Sequence, residues 1–248
     1  MNTATIPFWR HVRIELRKML NTRASAWLLI IIAVITIGAT ALPLLISADG
    51  SGLDWESFVL FASSGWSMLL PFIGVMAATS EWTQRTALST FTLEPRRTLV
   101  NLAKLVASLV LGFVMVALTY LAGALVNAIG IAFFDGSGSW AINGSVLAGY
   151  LASMVIYVTL GVGLGLLLLN TPLAIVAFIA LPVVVSVLAL VPALSTVIPW
   201  IDLASASLPL MDGSLTGSAW AHLATAVLLW CGLPLALGLI RTARREVA

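Results

Sequence analysis

The sequence is poor in charge. Only 9% of its 248 residues are Asp, Glu, Lys or Arg, whereas 60% are apolar, and the mean hydropathy is +1.09. A soluble domain carries roughly a quarter charged residues, so this chain lacks the means to cover a water-facing surface. A bilayer lifts that requirement, because lipid meets most of the outer surface. Histidine is scarce too: His11 and His222 are the only two, expected on opposite membrane faces, which argues against a zinc site. His222 reads as a hydrogen-bonded interfacial residue. The single cysteine, Cys231, excludes an internal disulfide and reads as a small buried residue. No Gly-rich loop with a following Lys-Ser/Thr occurs, so the chain is not expected to bind and hydrolyse ATP itself. Neither H-E-x-x-H nor a G-x-S-x-G elbow is present. The apolar runs hold no carboxylate, which disfavours a proton- or sodium-driven carrier. Asp202 is the only candidate for partial burial.

What is abundant is long apolar sequence. A span takes roughly 20 mostly apolar residues, and the charged residues mark six: about 24–46, 57–79, 102–133, 145–169, 172–193 and 219–240. Asn170-Thr171-Pro172 supplies the break within the uncharged stretch between Asp135 and Asp202, a polar pair followed by a residue suited to a helix start. The first run is too long for a signal h-region and follows a basic stretch, so it reads as a retained span. The fold class expected is an all-α polytopic membrane protein, with a cytoplasmic segment 1–23 and a transmembrane domain 24–248.

Basic residues fall in three clusters: Arg10, Arg13, Arg17, Lys18 and Arg23; Arg85, Arg96, Arg97 and Lys104; Arg241, Arg244 and Arg245. Six spans put all three on one side. The other side receives Asp49, Asp54, Glu56, Asp135, Asp202 and Asp212, with no Lys or Arg. The positive side is cytoplasmic, which places both termini inside.

Ahead of the first span, Trp9, Val12, Leu16, Met19 and Leu20 share one face of a helical wheel. Arg10, His11, Glu15, Arg17 and Lys18 lie opposite, Arg13 falls at the border and Ile14 is out of pattern. Pro7 suits the start of such a helix, and a basic amphipathic helix lies along the cytoplasmic interface. Residues 195–220 are apolar but interrupted by Pro199, Pro209 and Gly213. They are too short for two crossings, so short helices dipping in from outside are expected. Gly161 and Gly165 form a small-xxx-small face for helix packing, not a nucleotide fingerprint. Tyr120, Asn127, Tyr157 and the Ser and Thr of the spans fit either a lining for an amphipathic or lipid-like molecule or ordinary helix packing.

One polar segment is large enough for a partner, Ser80 to Lys104. Glu81 closes the second span, Thr86 follows, Glu94 and Pro95 precede Arg96 and Arg97, and Lys104 opens the third span. In this pattern and in layout the chain resembles the permease subunits of ABC transporters of the type-2 exporter class. That family usually has Gly where Arg85 stands. The resemblance implies a membrane subunit with no cofactor of its own, forming half of a translocation pathway in a bacterial plasma membrane. It further implies a second permease subunit, identical or not, and a separate ATP-binding subunit that holds ATP and magnesium. Glu81, Arg85, Thr86, Glu94, Pro95, Arg96 and Arg97 would form the coupling contact in a cleft of that ATPase, flanked by Arg10, Arg13 and Arg17. Nothing points to nucleic acid. The other reading is a membrane scaffold or immunity-type protein that acts by binding and uses no ATP.

Overall fold

The computed structural model describes residues 6–46, 53–134 and 138–245, and these are mainly helical, with no strand among them. Asp49 and Asp135, two of the acidic residues expected on the outer side, lie outside the described residues. Helix α1 (Phe8–Asn21) starts after Pro7, turns at Thr22 and leads into α2 (Arg23–Ile46). Helix α3 (Trp55–Thr83) is N-capped by Asp54, whose carboxylate accepts from the Ser57 amide at 2.7 Å. After the short α4 (Ala87–Leu93) comes α5 (Arg97–Phe133), then α6 (Gly144–Leu168) and α7 (Thr171–Leu188). A 3₁₀ turn (Pro192–Leu194), α8 (Ile198–Ile201) and α9 (Leu203–Met211) follow. The last span is continuous from Ala219 to Arg244, comprising α10 (Ala219–Val227), a π turn (Leu228–Gly232) and α11 (Leu233–Arg244).

Five helices are long and apolar enough to cross a membrane: α2, α5, α6, α7 and Ala219–Arg244. These make the chain a multi-pass membrane protein. Helix α3 qualifies as a sixth if its two parts, Trp55–Ser63 and Trp66–Thr83, bent by 44°, count as one span. Two boundaries differ most from the sequence reading. Helix α5 begins at Arg97, not near 102, because Pro95 ends the preceding turn and Asn101 and Lys104 are buried by protein. At 1.5 Å per residue its 37 residues span roughly 55 Å, well beyond a hydrocarbon core of about 30 Å. Helix α7 stops at Leu188, short of 193, where the chain turns before Pro192. The expected break after the fourth span is present: Leu169 is left-handed (φ 54°), and Asn170 caps α7 by accepting from the Leu173 amide at 2.9 Å.

Helix α3 is the axis, packed on α2, α5 and α6. Lipid is as apolar as leucine, so such packing relies on close backbone approach. A Cβ at Gly161 would collide with the Pro71 carbonyl oxygen, and one at Gly165 would sit 2.7 Å from the Ala78 Cβ and 3.0 Å from the Val75 oxygen. Both glycines thus face α3, and the α3–α6 contact forms along them.

The segment between α7 and the last span folds back into the bundle. Tyr157, midway along α6, shares a 3.0 Å hydroxyl hydrogen bond with Ser207 of α9. Trp230, midway along the last span, donates through Nε1 to the Ile201 carbonyl of α8 at 2.6 Å. Helices α8 and α9 therefore reach mid-helix level of their neighbours.

Candidate functional site

The site forms where α3 ends and the chain must return as α5. Thr86 N–H donates to the Glu81 carbonyl at 2.8 Å and Arg85 N–H to the Trp82 carbonyl at 3.4 Å, the paired bonds of a Schellman terminus. This motif requires a left-handed residue just past the helix, and Arg85 fills the position with φ 57°. Glycine occupies it without steric cost. The departure at Arg85 therefore falls at the one residue of the turn whose backbone favours glycine.

The turn directs α4 across the end of the bundle. Its inner face buries Ala87 and Phe91 beside Val100, with Trp82 packed against them. Its outer face carries Leu88, Ser89 and Thr92, continuous with exposed Arg85, Thr86, Pro95 and Arg96.

Beneath α4 lies a closed ring of four charges. Lys18 Nζ is 2.7 Å from Glu15 Oε1 and 2.8 Å from Glu81 Oε1. Lys104 Nζ is 2.9 Å from Glu15 Oε2 and 3.2 Å from Glu81 Oε1. The ring ties α1, α3 and α5 together, and Thr90 adds α4 by donating to Glu81 Oε1 at 3.2 Å. Lys104 is buried to 1% exposure, and Glu15 and Glu81 are nearly as enclosed. Two carboxylates matched by two ammonium groups make such burial tolerable, because each charge has partners of opposite sign. Burial alone would lower the Lys18 pKa, but Glu15 and Glu81 outweigh it, so the value lies above its ordinary 10.5.

A second polar group stands beside the ring. Arg96 grips Glu94 through two bonds, Nε to Oε1 at 2.8 Å and Nη2 to Oε2 at 3.0 Å. His11 Nε2 approaches the same carboxylate at 3.3 Å. The Arg96 hydrogen bonds hold the Glu94 carboxyl down at about 2. Arg97 takes a different role, donating to the Thr242 carbonyl at 3.1 Å and to the Arg245 carbonyl. Its guanidinium lies 5.0 Å above the Phe91 ring, and that of Arg245 lies 5.1 Å above Trp82. Asn101 completes the joint by donating to Thr242 Oγ1 at 2.7 Å. Residues of all three basic clusters thus meet at one end of the bundle.

The sequence-selected residues divide into two groups. Arg85, Thr86, Pro95 and Arg96 are exposed around α4, and Arg10, Arg13 and Arg17 line the exposed face of α1. Glu81 and Glu94 instead point into the chain's own ion pairs, and Arg97 binds its C-terminal helix. The helical-wheel division of α1 needs correction. His11 and Glu15 join Val12 and Met19 on the buried face, whereas Trp9 and Leu20 are exposed; Ile14, out of pattern on the wheel, is exposed as well. The reason is that this face meets Glu81, Glu94 and Lys104 as well as apolar side chains. Asp202 is buried, as expected, but so are Glu15, Glu81 and Glu94. Sequence reasoning missed Glu15, Lys18 and Lys104 as partners. The legible signal was the i,i+3 spacing of Glu15 and Lys18, which left the cross-helix partners open.

The arrangement is suited to transmitting motion. A load on α4 reaches α1, α3, α5 and the last span through short polar contacts. No protein-family model matches the chain, and no curated protein is significantly similar to it.

Proposed function

We propose that this chain is the permease subunit of an ATP-driven exporter of the type-2 ABC class. It forms half of the pathway with a second permease subunit and docks a separate ATP-binding subunit through the outer face of α4. The observation that carries the reading is α4 itself. A short helix lies between two long apolar helices, its inner face keyed to the Glu15–Lys18–Glu81–Lys104 ring and its outer face exposed. A partner that pushes on that face moves rigid elements, since the charged ring resists sliding of one helix past another. The convergence of the three basic clusters at one end supports six crossings with both termini cytoplasmic, α3 being the bent one. The exposed arginines and Trp9 of α1 fit a helix at the cytoplasmic lipid interface.

Direct contact with the ATPase is assigned to Arg85, Thr86, Leu88, Ser89 and Arg96. Glu81, Glu94 and Arg97 act behind them, setting the position of α4. The test is reconstitution of the chain with its ATP-binding subunit in proteoliposomes, comparing wild type with Arg85→Glu/Leu88→Glu. Both side chains are exposed, so the variant inserts and folds normally. Its ATPase activity is expected to lose its dependence on the permease. Unchanged coupling in a normally assembled variant contradicts the assignment.

A further inference from the structure

Helix α1 is fixed on one side and free on the other. Its inner face is held against α5 by Glu15 and Lys104, 2.9 Å apart, with Val12 and Met19 buried alongside. That determines which side chains turn outward. Arg10, Arg13 and Arg17 follow one line at i, i+3 and i+7, with Trp9 and Leu20 along one edge and Ile14 along the other, all exposed. Trp9, Arg10, Arg13, Ile14 and Arg17 line a shallow groove of about 590 Å³. None of the ion pairs among the described residues includes Arg10, Arg13 or Arg17, which leaves three adjacent positive charges for an external anion. The groove also lies close to the membrane. A single residue, Thr22, separates α1 from the membrane-spanning α2, and its extended backbone (φ −83°, ψ 136°) turns α1 off the axis of that span.

We infer that this groove binds the phosphate headgroups of anionic phospholipids in the cytoplasmic leaflet, with Trp9, Ile14 and Leu20 entering the boundary beneath them. Charge complementarity gives the sign. Basic residues beside a span are drawn to an anionic leaflet, and a guanidinium meets a phosphate through two parallel hydrogen bonds. The apolar residues decide that the anion belongs to a lipid and not to an acidic protein. Tryptophan rings sit at the headgroup level, and long basic side chains reach from apolar surroundings back to the polar layer. A helix face that interleaves the two is built for the junction of headgroups and acyl chains. Because Glu15 on the opposite face belongs to the charged ring, lipid bound here also holds the α1 member of that ring in place. The inference deepens the interfacial reading of α1 and rests on it; it does not rest on the ATPase.

The test measures lipid retained by the purified full chain from detergent micelles holding equal amounts of phosphatidylglycerol and phosphatidylcholine with identical acyl chains. Wild type is expected to enrich phosphatidylglycerol roughly threefold or more, and high salt to remove most of that enrichment by screening. Arg10→Gln/Arg13→Gln/Arg17→Gln is expected to lose most of it; all three side chains are exposed, so the variant folds. Equal retention of both lipids by wild type overturns the inference. So does a Gln variant that enriches phosphatidylglycerol as strongly as wild type, including one that instead loses a co-purifying ATPase, which would assign the arginines to a protein partner. A bimane label on Trp9→Cys reports placement separately, the one native cysteine being buried. Its emission in phosphatidylcholine nanodiscs is expected to be quenched by a lipid-borne quencher. Quenching without phosphatidylglycerol enrichment overturns the inference alone, and absence of quenching overturns the interfacial reading with it. Neither assay contains an ATPase, so failure in either leaves ATP-driven export standing.

Discussion

Lys104 and Glu15, 89 residues apart, meet at 2.9 Å inside the protein and join α5 to α1. The two side chains are only 1% and 7% exposed, so neither can turn to water for a substitute partner. Replacing Lys104 by Met leaves Glu15 and Glu81 sharing the single ammonium of Lys18. Removal of one partner from a buried pair costs about 3–5 kcal/mol. Thermal unfolding of Lys104→Met in detergent should fall accordingly, and adding Glu15→Gln should restore part of the loss. Equal effects of the single and double variants would rule out the pairing.

Arg85 makes the opposite prediction. Its left-handed backbone, φ 57°, costs an L-residue about 1–2 kcal/mol. Arg85→Gly should relieve most of that and raise the unfolding midpoint. A lower midpoint would mean that the arginine side chain stabilises the turn more than its backbone strains it.

The α3–α6 seam has little tolerance for added volume. Gly161→Ala would drive a methyl group into the Pro71 carbonyl oxygen, and overpacking of this kind costs about 1–3 kcal/mol. Gly38→Ala, in α2, where no atom lies within 4 Å of an added Cβ and the backbone is helical, controls for the added methyl group. The unfolding midpoint of Gly161→Ala is expected to fall below those of wild type and Gly38→Ala.

Glu94 gives a pH dependence with a definite sign. Its folded pKa, about 2, lies below its ordinary 4.5, so its stabilising contribution is complete above about pH 4.5 and is lost as pH falls toward 2. Lys18 is shifted upward, so its contribution is complete below pH 10.5 and is lost as pH rises through the higher folded value. The difference in unfolding midpoint between wild type and Glu94→Gln should therefore shrink on acidification through that window. A difference independent of pH would exclude the Arg96–Glu94 pair as its source.

Much of the bundle was legible in the sequence because spans announce themselves by apolar length and caps by residue type. Asn170-Thr171-Pro172 marks a helix boundary without any tertiary information, and Gly161 and Gly165 mark a packing face by spacing alone. The site was legible only as a list of polar residues. Glu81 and Arg96 look alike in a one-dimensional reading of a charged loop, yet one is buried in a ring of ion pairs and the other faces outward. Lys18, 63 residues away from Glu81, and the Lys104–Glu15 pair, 89 residues apart, close that ring, and no local pattern encodes such distances. The wheel of α1 misled for the same reason: it assumes that polar means exposed, whereas His11 and Glu15 are polar because their buried partners are charged. Asp202 was legible as unusual; its depth beside Tyr157 and Trp230 was not.

The proposed docking of a separate ATPase on α4 is tested by affinity purification of the full chain co-expressed with the products of its neighbouring genes, followed by quantification of co-eluting subunits and ATPase activity. A stoichiometric ATP-binding subunit is expected to elute with the wild type and to be lost with Arg85→Glu/Leu88→Glu. A chain that purifies alone in folded form, with no ATPase among its neighbours, would contradict it and favour a membrane protein that acts by binding alone.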